Sequence, residues 1–335
     1  MDKTFNFISL GDIVTDAFIT LKENEAEVVC DPTTGKACKI CMNFGDKIPY
    51  DSVTVIPAVG NSPNAAVCAQ RLGLKSAVIT NIGDDNDGKE ALRALEKNGV
   101  STGFVTTHNN KKTNYHFVLR LGAERTILIK HEDYPYTLPD NLENPDWFYL
   151  SSLGENSLPF HETILKFLDQ NPKVRLAFQP GTFQIKLGLN KLAAIYKRSS
   201  LFFCNVEEAK KILKQDGTDI KTLVKAMYDQ GPQIVIITDG PNGAYTYDGM
   251  EIWHMPIYPD PKPPVDRTGA GDAFAATFTA LIARDLSIPE ALRRAPINSM
   301  SVVQYIGAQE GLLSVEALEK YLDEAPENYK LEKID

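Results

Sequence analysis

The most informative run of the sequence is Asp266-Arg267-Thr268-Gly269-Ala270-Gly271-Asp272-Ala273-Phe274, followed by the small and apolar residues 275–283. Small residues directly before a helical pattern let backbone N–H groups converge at the positive end of a helix dipole, which is an anion-binding arrangement. A carboxylate at the rim of such a site repels a phosphate, so we interpret Asp272 as a proton acceptor for a hydroxyl group. The amides of Gly269, Ala270 and Gly271 would then hold the charge of a transferred phosphoryl group. Considered alone, the run has a competing explanation, a helix-capping aspartate after a glycine turn.

Short apolar runs alternate with helical patterns along most of the chain, which predicts an α/β fold with a mostly parallel sheet. The predicted strands are residues 7–10, 76–79, 147–151, 175–178, 201–204 and 234–238. The predicted helices between them are residues 64–72, 88–97, 160–170, 207–214 and 220–229.

Two segments interrupt this alternation. Residues 22–53 are polar, rich in turn-forming residues and contain three of the five cysteines. Residues 114–131 alternate in the manner of a β-hairpin that turns at 121–123. We predict that the two segments form a small antiparallel β lid. The predicted core then consists of residues 1–21, 54–113 and 132–335.

Composition excludes several classes of protein. The 335 residues include 35 Lys and Arg against 44 Asp and Glu, a formal charge of −9, which argues against nonspecific binding to nucleic acid or to an anionic membrane. No window of about 20 apolar residues could span a membrane, and no signal peptide is evident, so we expect a cytoplasmic protein.

The cysteines favour reduced thiols, because their number is odd and the chain is long. Cys30, Cys38 and Cys41 are spaced in a way that suggests zinc, but three cysteines without a nearby histidine fall short of the usual four ligands.

The run at 266–274 resembles the C-terminal DTxGAGD signature of the ribokinase-like, or PfkB, family of carbohydrate and nucleoside kinases. Residues 11–16, Gly-Asp-Ile-Val-Thr-Asp, resemble the family's first strand and turn, and this resemblance makes Asp16 a ligand of sugar hydroxyls. Residues 59–64, Val-Gly-Asn-Ser-Pro-Asn, resemble the GGxxxN segment that opens a helix, with valine in place of the first glycine. They add Gly60, Asn61 and Asn64 to the implied substrate site. The resemblance covers nearly the whole chain and implies a three-layer α/β/α core with a β lid.

Asn205-Val206-Glu207-Glu208 resembles the family's NxxE motif. Residues three apart on the first turn of a helix share a face, so Asn205 and Glu208 can both point toward a phosphate-bound, hydrated Mg²⁺. A helix cap followed by acidic first-turn residues is the alternative. The run at 236–243 resembles the strand and glycine turn beside the nucleotide, which implies ATP-binding roles for Thr238, Gly240 and Gly243. By the same resemblance Asn298 lies near the adenine base of the nucleotide. Asp266, together with the backbone of 307–309, is implied to shape a site for a monovalent cation such as K⁺.

The implied function is direct, in-line transfer of a phosphoryl group from ATP to a hydroxyl of a small sugar. A nucleoside kinase is the runner-up, because Gln179-Pro180-Gly181-Thr182 resembles nucleoside-preferring members. A nicotinamide-dependent oxidoreductase is disfavoured, because the first strand is not followed by GxGxxG. A binding protein without catalysis is disfavoured by the intact glycine run and Asp272.

The lid carries four further side chains whose roles the sequence leaves open: Arg120, Arg125, His116 and His131. We expect the arginines to be solvated, with contact to an acidic or phosphorylated substrate as the alternative, and the histidines to lie on the lid surface. The lid is also the predicted surface for a homodimer.

Overall fold

The computed structural model describes residues 5–31, 38–122, 124–217 and 219–334. The strands in these ranges are β1 Phe7–Leu10, β2 Val14–Leu21, β3 Glu27–Val29, β4 Lys39–Cys41, β5 Tyr50–Val59, β6 Ser76–Gly83, β7 Val105–His108, β8 Asn114–Leu121, β9 Glu124–Leu128, β10 Trp147–Leu150, β11 Arg175–Phe178, β12 Leu201–Asn205, β13 Ile234–Thr238, β14 Ala244–Tyr247, β15 Ile252–Met255 and β16 Glu332–Ile334. The α-helices are α1 Asn61–Arg71, α2 Asn86–Lys97, α3 Leu158–Gln170, α4 Thr182–Leu187, α5 Leu189–Arg198, α6 Val206–Leu213, α7 Ile220–Tyr228, α8 Ala270–Ala283, α9 Ile288–Val302 and α10 Val315–Asp323. Two short 3₁₀ turns lie at Glu155–Ser157 and Gly240–Asn242.

The large sheet runs in the order β16-β15-β14-β13-β12-β11-β10-β1-β6-β7 within the described residues. Its strands are parallel from β13 to β7, and β14 to β16 add an antiparallel edge. Strands β1 and β10 are buried along their whole length, as expected of a sheet that is covered on both faces. The α/β prediction with a mostly parallel sheet is therefore confirmed.

The first strand, β1, lies inside this sheet, third from the β7 edge, and later strands are added on both sides of it. Crevices outside the carboxyl ends of parallel strands occur where strand order reverses in this way, and they are the usual ligand sites of such sheets. The two faces are covered by two separate hydrophobic clusters. One cluster includes residues of α1, α8 and α9, and the other includes residues of α3, α5 and α7.

A second sheet, which we call the lid sheet, has the order β5-β2-β8-β9 in the described part of the chain. Its pairs are antiparallel except β2 with β8, which are parallel. The predicted hairpin is present as β8 and β9, although Ala123 of its turn lies outside the described residues. The prediction placed residues 1–21 in the core, whereas β2 pairs within the lid sheet, and β5 extends to Val59 beyond the predicted end at 53. Hydrogen-bonded pairing over the full length of β2 is the reason for this correction.

The prediction of reduced thiols in the lid segment is wrong for two cysteines, because Cys30 and Cys38 form a disulfide. The small β3–β4 hairpin explains the bond. Its register opposes Val29 to Lys39, which places the next pair of residues, Cys30 and Cys38, directly across from each other. Cys41 has a free, exposed thiol, while Cys68 and Cys204 are buried. Counting cysteines could not reveal this pairing, since it depends on a local strand register.

The sequence indicates no membrane span and an incomplete set of zinc ligands, and the described residues bear on both points. None of the helices in these ranges is both long enough and apolar enough to cross a membrane. Likewise, no cluster of three or more His, Cys, Asp or Glu side chains within the same ranges could hold a metal ion by itself.

Candidate active site

The N-terminus of α8 carries the predicted anion-binding amides. Gly269 has φ of 82°, a left-handed conformation that favours glycine, and a Cβ atom here would collide with Ala308. The first bond within the helix runs from Ala273 N to Gly269 O at 2.8 Å. The N–H groups of the preceding first turn have no acceptor within the helix, as at any helix start. Gly271 faces open space, so these amides are accessible to an anion.

Three side-chain amides hold the carboxylate of Asp272. Asn61 Nδ2 donates to Oδ1 at 2.7 Å, and Asn64 Nδ2 donates to Oδ2 at 2.8 Å. Gln179 Nε2 also donates to Oδ1, at 3.1 Å, and its own Oε1 accepts a bond from the buried Tyr149 hydroxyl at 2.5 Å. One helix, α1, and the loop after β11 therefore fix the orientation of this carboxylate. Asn61 and Asn64, predicted as substrate ligands, contact the predicted base itself.

The environment of Asp272 changes its acidity. Burial raises the pKa of this carboxyl group, and the three amide donors together with the nearby Arg125 charge offset only part of the increase. The base thus has a higher proton affinity than an ordinary aspartate while remaining hydrogen-bonded in its ionised form.

Turnover should fall in mild acid as a result. A general base must be ionised to accept a proton, so activity is lost as pH falls through the raised pKa of Asp272. A pH profile of kcat should show its acidic midpoint above the usual aspartate range. A profile that stays flat down to the usual aspartate range would contradict the role of Asp272.

A cleft of about 330 Å³ joins Asp272 to the predicted nucleotide side. Its polar and glycine lining includes Asn61, Arg125, Gln179, Asn205, Glu208, Thr238, Arg267, Thr268, Gly269, Gly271 and Asp272. Most of the predicted catalytic and nucleotide-side residues are thus brought to one place. Gly240 and Gly243 lie beyond Thr238, in the turn between β13 and β14.

Asn205 and Glu208 form a capping box at the start of α6. Asn205 Oδ1 accepts a bond from Glu208 N, and Glu208 Oε2 accepts a bond from Asn205 N, both at 2.9 Å. The alternative drawn from the sequence, a helix cap, is therefore real, but Glu208 also lines the cleft. Burial raises the pKa of Glu208, and the negative charge of Asp272 raises it further.

The two carboxylates of the cleft fit a cation that arrives with phosphate groups. Both Glu208 and Asp272 have raised pKa values, so negative charge at this place lacks full compensation from the protein. A hydrated Mg²⁺, which normally binds through one or two carboxylates, water and substrate phosphates, would supply that compensation. The arrangement suits Mg²⁺ bound through water to Glu208.

Two predicted residues lie away from the open cleft. Asn298 is completely buried, donates to Thr277 Oγ1 at 2.8 Å and accepts from Leu313 N at 2.9 Å. Both polar atoms of its side-chain amide form hydrogen bonds inside the protein, so the structure does not support the predicted position of Asn298 near the adenine base of the nucleotide. Asp266 is also buried, and its carboxylate accepts bonds from Thr268 N and Gly307 N, each at 3.0 Å. Asp266 thereby orders the loop before α8, and K⁺ at this position stays a prediction.

The two lid arginines differ from each other. Arg120 is buried and donates to the carbonyl of Val265 at 2.6 Å, which ties β8 to the loop before α8 and corrects the expectation of a solvated side chain. Arg125 lines the cleft with Asp272, and its buried Nε has no hydrogen-bond partner among the described residues. A cation with an unsatisfied buried donor, in the same cleft as Gly269 and Gly271, is suited to bind phosphate.

Sequence reasoning did not assign Gln179 a role at the base. Its position directly after β11 was the available signal, because side chains at the carboxyl ends of parallel strands converge on the crevice. Arg125 had no comparable signal, since its approach to Asp272 depends on how the lid sheet folds over the core.

The predicted substrate residues Asp16 and Gly60 do not line this cleft. Gly60 has φ of 112°, and an added Cβ would lie 2.8 Å from the carbonyl oxygen of Asp12. The connection between β1 and β2 therefore approaches the start of α1 closely only because residue 60 is a glycine. Asp16 is 8% exposed, and its Oδ1 atom has no hydrogen-bond partner in the described structure.

Comparison with solved structures identifies the fold as ribokinase-like. A ribokinase of Arabidopsis thaliana, in complex with ribose and ATP, matches 95% of this chain and 98% of its own with a TM-score of 0.77 and 19% sequence identity. A protein described as a ribokinase II of E. coli, in complex with ATP and Mg²⁺, matches 96% of this chain and 99% of its own, with a TM-score of 0.74 and 18% identity.

Sequence comparison agrees. An uncharacterized sugar kinase of Archaeoglobus fulgidus is 27% identical over 256 residues, which are 72% of this chain and 96% of that protein. Fold and cleft together define an ATP-binding phosphotransferase with an alcohol group as acceptor. The pfkB family carbohydrate kinase model matches residues 45–314, and the chain belongs to this family.

Proposed function

We propose that the enzyme transfers the γ-phosphoryl group of ATP to a hydroxyl or hydroxymethyl group of a small sugar. The observation that carries this proposal is the carboxylate of Asp272, held by three amides at the rim of the α8 N-terminus. A base and an anion-binding turn in one cleft are the two elements that phosphoryl transfer to an alcohol requires from a protein.

Each element has a defined task in the proposed mechanism. Asp272 accepts the proton of the attacking hydroxyl, and the first-turn amides of α8 stabilise charge on the transferred group. Arg125 adds a positive charge from the lid side of the same cleft. Bound Mg-ATP supplies the phosphoryl group, already partly neutralised by the cation. Closure of the lid sheet would exclude water, which limits transfer to water instead of sugar.

An acceptor panel tests this function. ADP formation should rise severalfold over the acceptor-free rate with one or more of ribose, fructose, 2-keto-3-deoxygluconate, adenosine and inosine. A response to the nucleosides alone would favour the second candidate, a nucleoside kinase, which is supported by Gln179 of the QPGT run contacting Asp272. No response to any acceptor would reject both.

Replacing Glu208 with glutamine should raise the Mg²⁺ concentration needed for half-maximal activity by about tenfold. The loss of one cleft carboxylate removes the outer-sphere attraction for the hydrated cation. Glu207→Gln is the matched control, since Glu207 lies on the same helical turn but is exposed and paired with Lys210. Equal Mg²⁺ dependence of the two variants would argue against the proposed role of Glu208.

We also propose that the outer face of the lid sheet binds a second copy of the chain. Cross-strand register places Val53, Val55, Phe117 and Leu128 on one face, and each is about half exposed. Apolar side chains that continue across three strands are unusual on a free surface and typical of an interface.

Replacing Val55 and Phe117 with lysine should therefore convert a dimer to a monomer, as measured by light scattering after size exclusion. The buried core of the lid lies on the opposite face, so the variants should keep their fold. A wild type that remains monomeric at tens of micromolar would contradict this proposal.

A further inference from the structure

Two of the amides that hold Asp272 are themselves held from behind. Tyr149, which is completely buried in β10, donates its hydroxyl hydrogen to Gln179 Oε1 at 2.5 Å. Gln309, which is buried in the segment between α9 and α10, donates from Nε2 to Asn64 Oδ1 at 2.9 Å. Neither of the two lines the cleft that the described residues form, and we call Tyr149 and Gln309 the outer donors.

The orientation of a side-chain amide decides whether it stabilises or repels a carboxylate. Its NH₂ end only donates hydrogen bonds, and its oxygen end only accepts them. An outer donor that occupies the oxygen end leaves the NH₂ end for Asp272. Gln179 then donates to Oδ1 at 3.1 Å, and Asn64 donates to Oδ2 at 2.8 Å. Each carboxylate oxygen therefore has one donor whose orientation is fixed from the far side.

The partners of the outer donors permit one orientation of each amide. Gln179 Oε1 is the acceptor that the buried Tyr149 hydroxyl reaches within the described residues, so reversal of that amide would leave a buried O–H without an acceptor. Gln309 Nε2 also donates to the backbone carbonyl of Ala58 at 2.7 Å. A carbonyl oxygen cannot donate, so the nitrogen and oxygen of Gln309 cannot exchange places without loss of this bond. Ala58 has φ of 59°, a left-handed conformation that is uncommon for a residue other than glycine.

We propose, on the basis of the kinase function proposed above, that Tyr149 and Gln309 are positioning residues that keep Asp272 in its proton-accepting form. By fixing two amides as donors, they favour the ionised carboxylate. A protonated carboxyl group would need an acceptor for its O–H where an NH₂ group now stands. Each outer donor acts through the amide that it orients, because its hydrogen bonds go to that amide and not to Asp272.

Removal of an outer donor changes the amides around Asp272 and leaves the charges of the cleft in place. Charged side chains from three elements share the cleft with Asp272: Arg125 of β9, Glu208 of α6 and Arg267 of the loop before α8. The titratable group beside Tyr149 on α1 is Cys68, and burial raises the pKa of this thiol to about 12, so it stays neutral. An altered titration of Asp272 would therefore report the orientation of its amides.

The two lid histidines must be distinguished from Asp272 in a pH measurement, because imidazoles ordinarily titrate near neutral pH. The expectation that His116 and His131 lie on the lid surface is wrong, because their side chains are only 13% exposed. His131 Nδ1 lies 2.8 Å from Asp12 Oδ2, and His116 Nδ1 lies 3.4 Å from Asp16 Oδ1. These contacts are to other carboxylates, so a signal from the Asp272 carboxyl carbon separates the titrations.

Carbon NMR of protein labelled at the aspartate carboxyl carbons tests the proposal without requiring turnover. The signal of Asp272 is assigned by its absence in Asp272→Asn. Tyr149→Phe and Gln309→Met should each move the midpoint of its titration to higher pH, because the ionised form loses an oriented donor. At the pH of the wild-type midpoint, the ionised fraction should be about fivefold smaller in each variant.

Two control variants remove equivalent groups elsewhere. Tyr329→Phe deletes a buried hydroxyl that donates to Arg293 O at 2.7 Å, and Gln304→Met deletes a buried amide that donates to Lys262 O at 3.2 Å. Both controls should leave the titration of Asp272 as in wild type. Cooperative thermal unfolding serves as the measure that a variant is folded.

Turnover gives a second readout with an acceptor from the panel. The acidic midpoint of kcat should move together with the carboxyl titration in Tyr149→Phe and Gln309→Met. Relative to its own alkaline plateau, each variant should lose about fivefold in kcat at the pH of the wild-type midpoint, with the KM for ATP changed less than about twofold. A purely structural effect would lower kcat equally at every pH and leave the midpoint unmoved.

An unmoved carboxyl midpoint in either folded variant would overturn the proposal. In wild type, the side-chain NH₂ signals of Gln179 and Asn64 should shift with the midpoint of the Asp272 carboxyl group, and signals that do not respond would overturn it without any variant. If the midpoint moves as expected but no acceptor yields ADP, the kinase function fails while the orienting role stands. If acceptors respond while the midpoint stays unmoved, the kinase function stands and this proposal fails.

Discussion

Asp272→Asn is expected to lower kcat about 10³-fold while leaving the affinity for ATP nearly unchanged. The asparagine keeps the size of the side chain but cannot accept the hydroxyl proton, and general-base catalysis typically contributes 10²- to 10⁴-fold. The amides at the start of α8 remain in place, since they belong to the backbone. Binding of ATP should therefore survive the substitution.

The Asp272→Asn experiment requires a control variant and a measurement of the stability of the fold. Asp323→Asn, at the exposed end of α10, should behave as wild type in every assay. Thermal unfolding of Asp272→Asn should occur close to the wild-type temperature, because removal of a charge whose pKa is raised offsets the loss of an amide hydrogen bond. A variant that keeps wild-type kcat would exclude Asp272 as the base.

Gly269→Ala should abolish activity and destabilise the fold by about 2 kcal/mol or more, whereas Gly271→Ala should fold normally. At 269 the backbone has positive φ and a Cβ would collide with Ala308, so both backbone strain and overlap oppose alanine. At 271 a Cβ meets no atom within 4 Å. The two substitutions are chemically identical and lie two residues apart, which makes each the control of the other.

Denaturant unfolding and ATP titration distinguish the consequences. The Gly269 variant should lose stability and ATP affinity together, because the turn that orients the backbone amides changes its conformation. The Gly271 variant should keep its stability, and any loss of ATP affinity there reports a methyl group in the path of the phosphates. Equal stability of the two variants would show that the left-handed turn is not essential.

Local patterns predicted the parts of the molecule that depend on neighbouring residues. The alternation of buried strands with amphipathic helices was sufficient for the α/β sheet, and the glycine run before α8 was sufficient for the anion-binding turn. Helix α1 nonetheless begins at Asn61 and not at residue 64, because Gly60 ends β5 with a positive φ and Pro63 is tolerated in a first turn. This earlier start places Asn61 within reach of Asp272.

Contacts between distant segments could not be predicted in the same way. Asn64 was assigned to the substrate because of its motif, yet its amide reaches a carboxylate 208 residues away. The motif also placed Asn298 near a ligand, whereas packing of α9 against α8 buries its side chain. Contacts of His131 with Asp12 and of His116 with Asp16 join the lid hairpin to the β1–β2 connection and to β2, and no periodicity of the sequence indicates such a junction. Tertiary packing decides each of these cases.

Phosphorus NMR of wild type with ATP, Mg²⁺ and the acceptor that responds in the panel follows the proposed transfer of phosphate to the sugar itself. We expect a new phosphomonoester signal that grows in step with ADP, with little inorganic phosphate, and neither signal growing in Asp272→Asn. Formation of inorganic phosphate in place of a sugar phosphate, or an unchanged rate in Asp272→Asn, would contradict it.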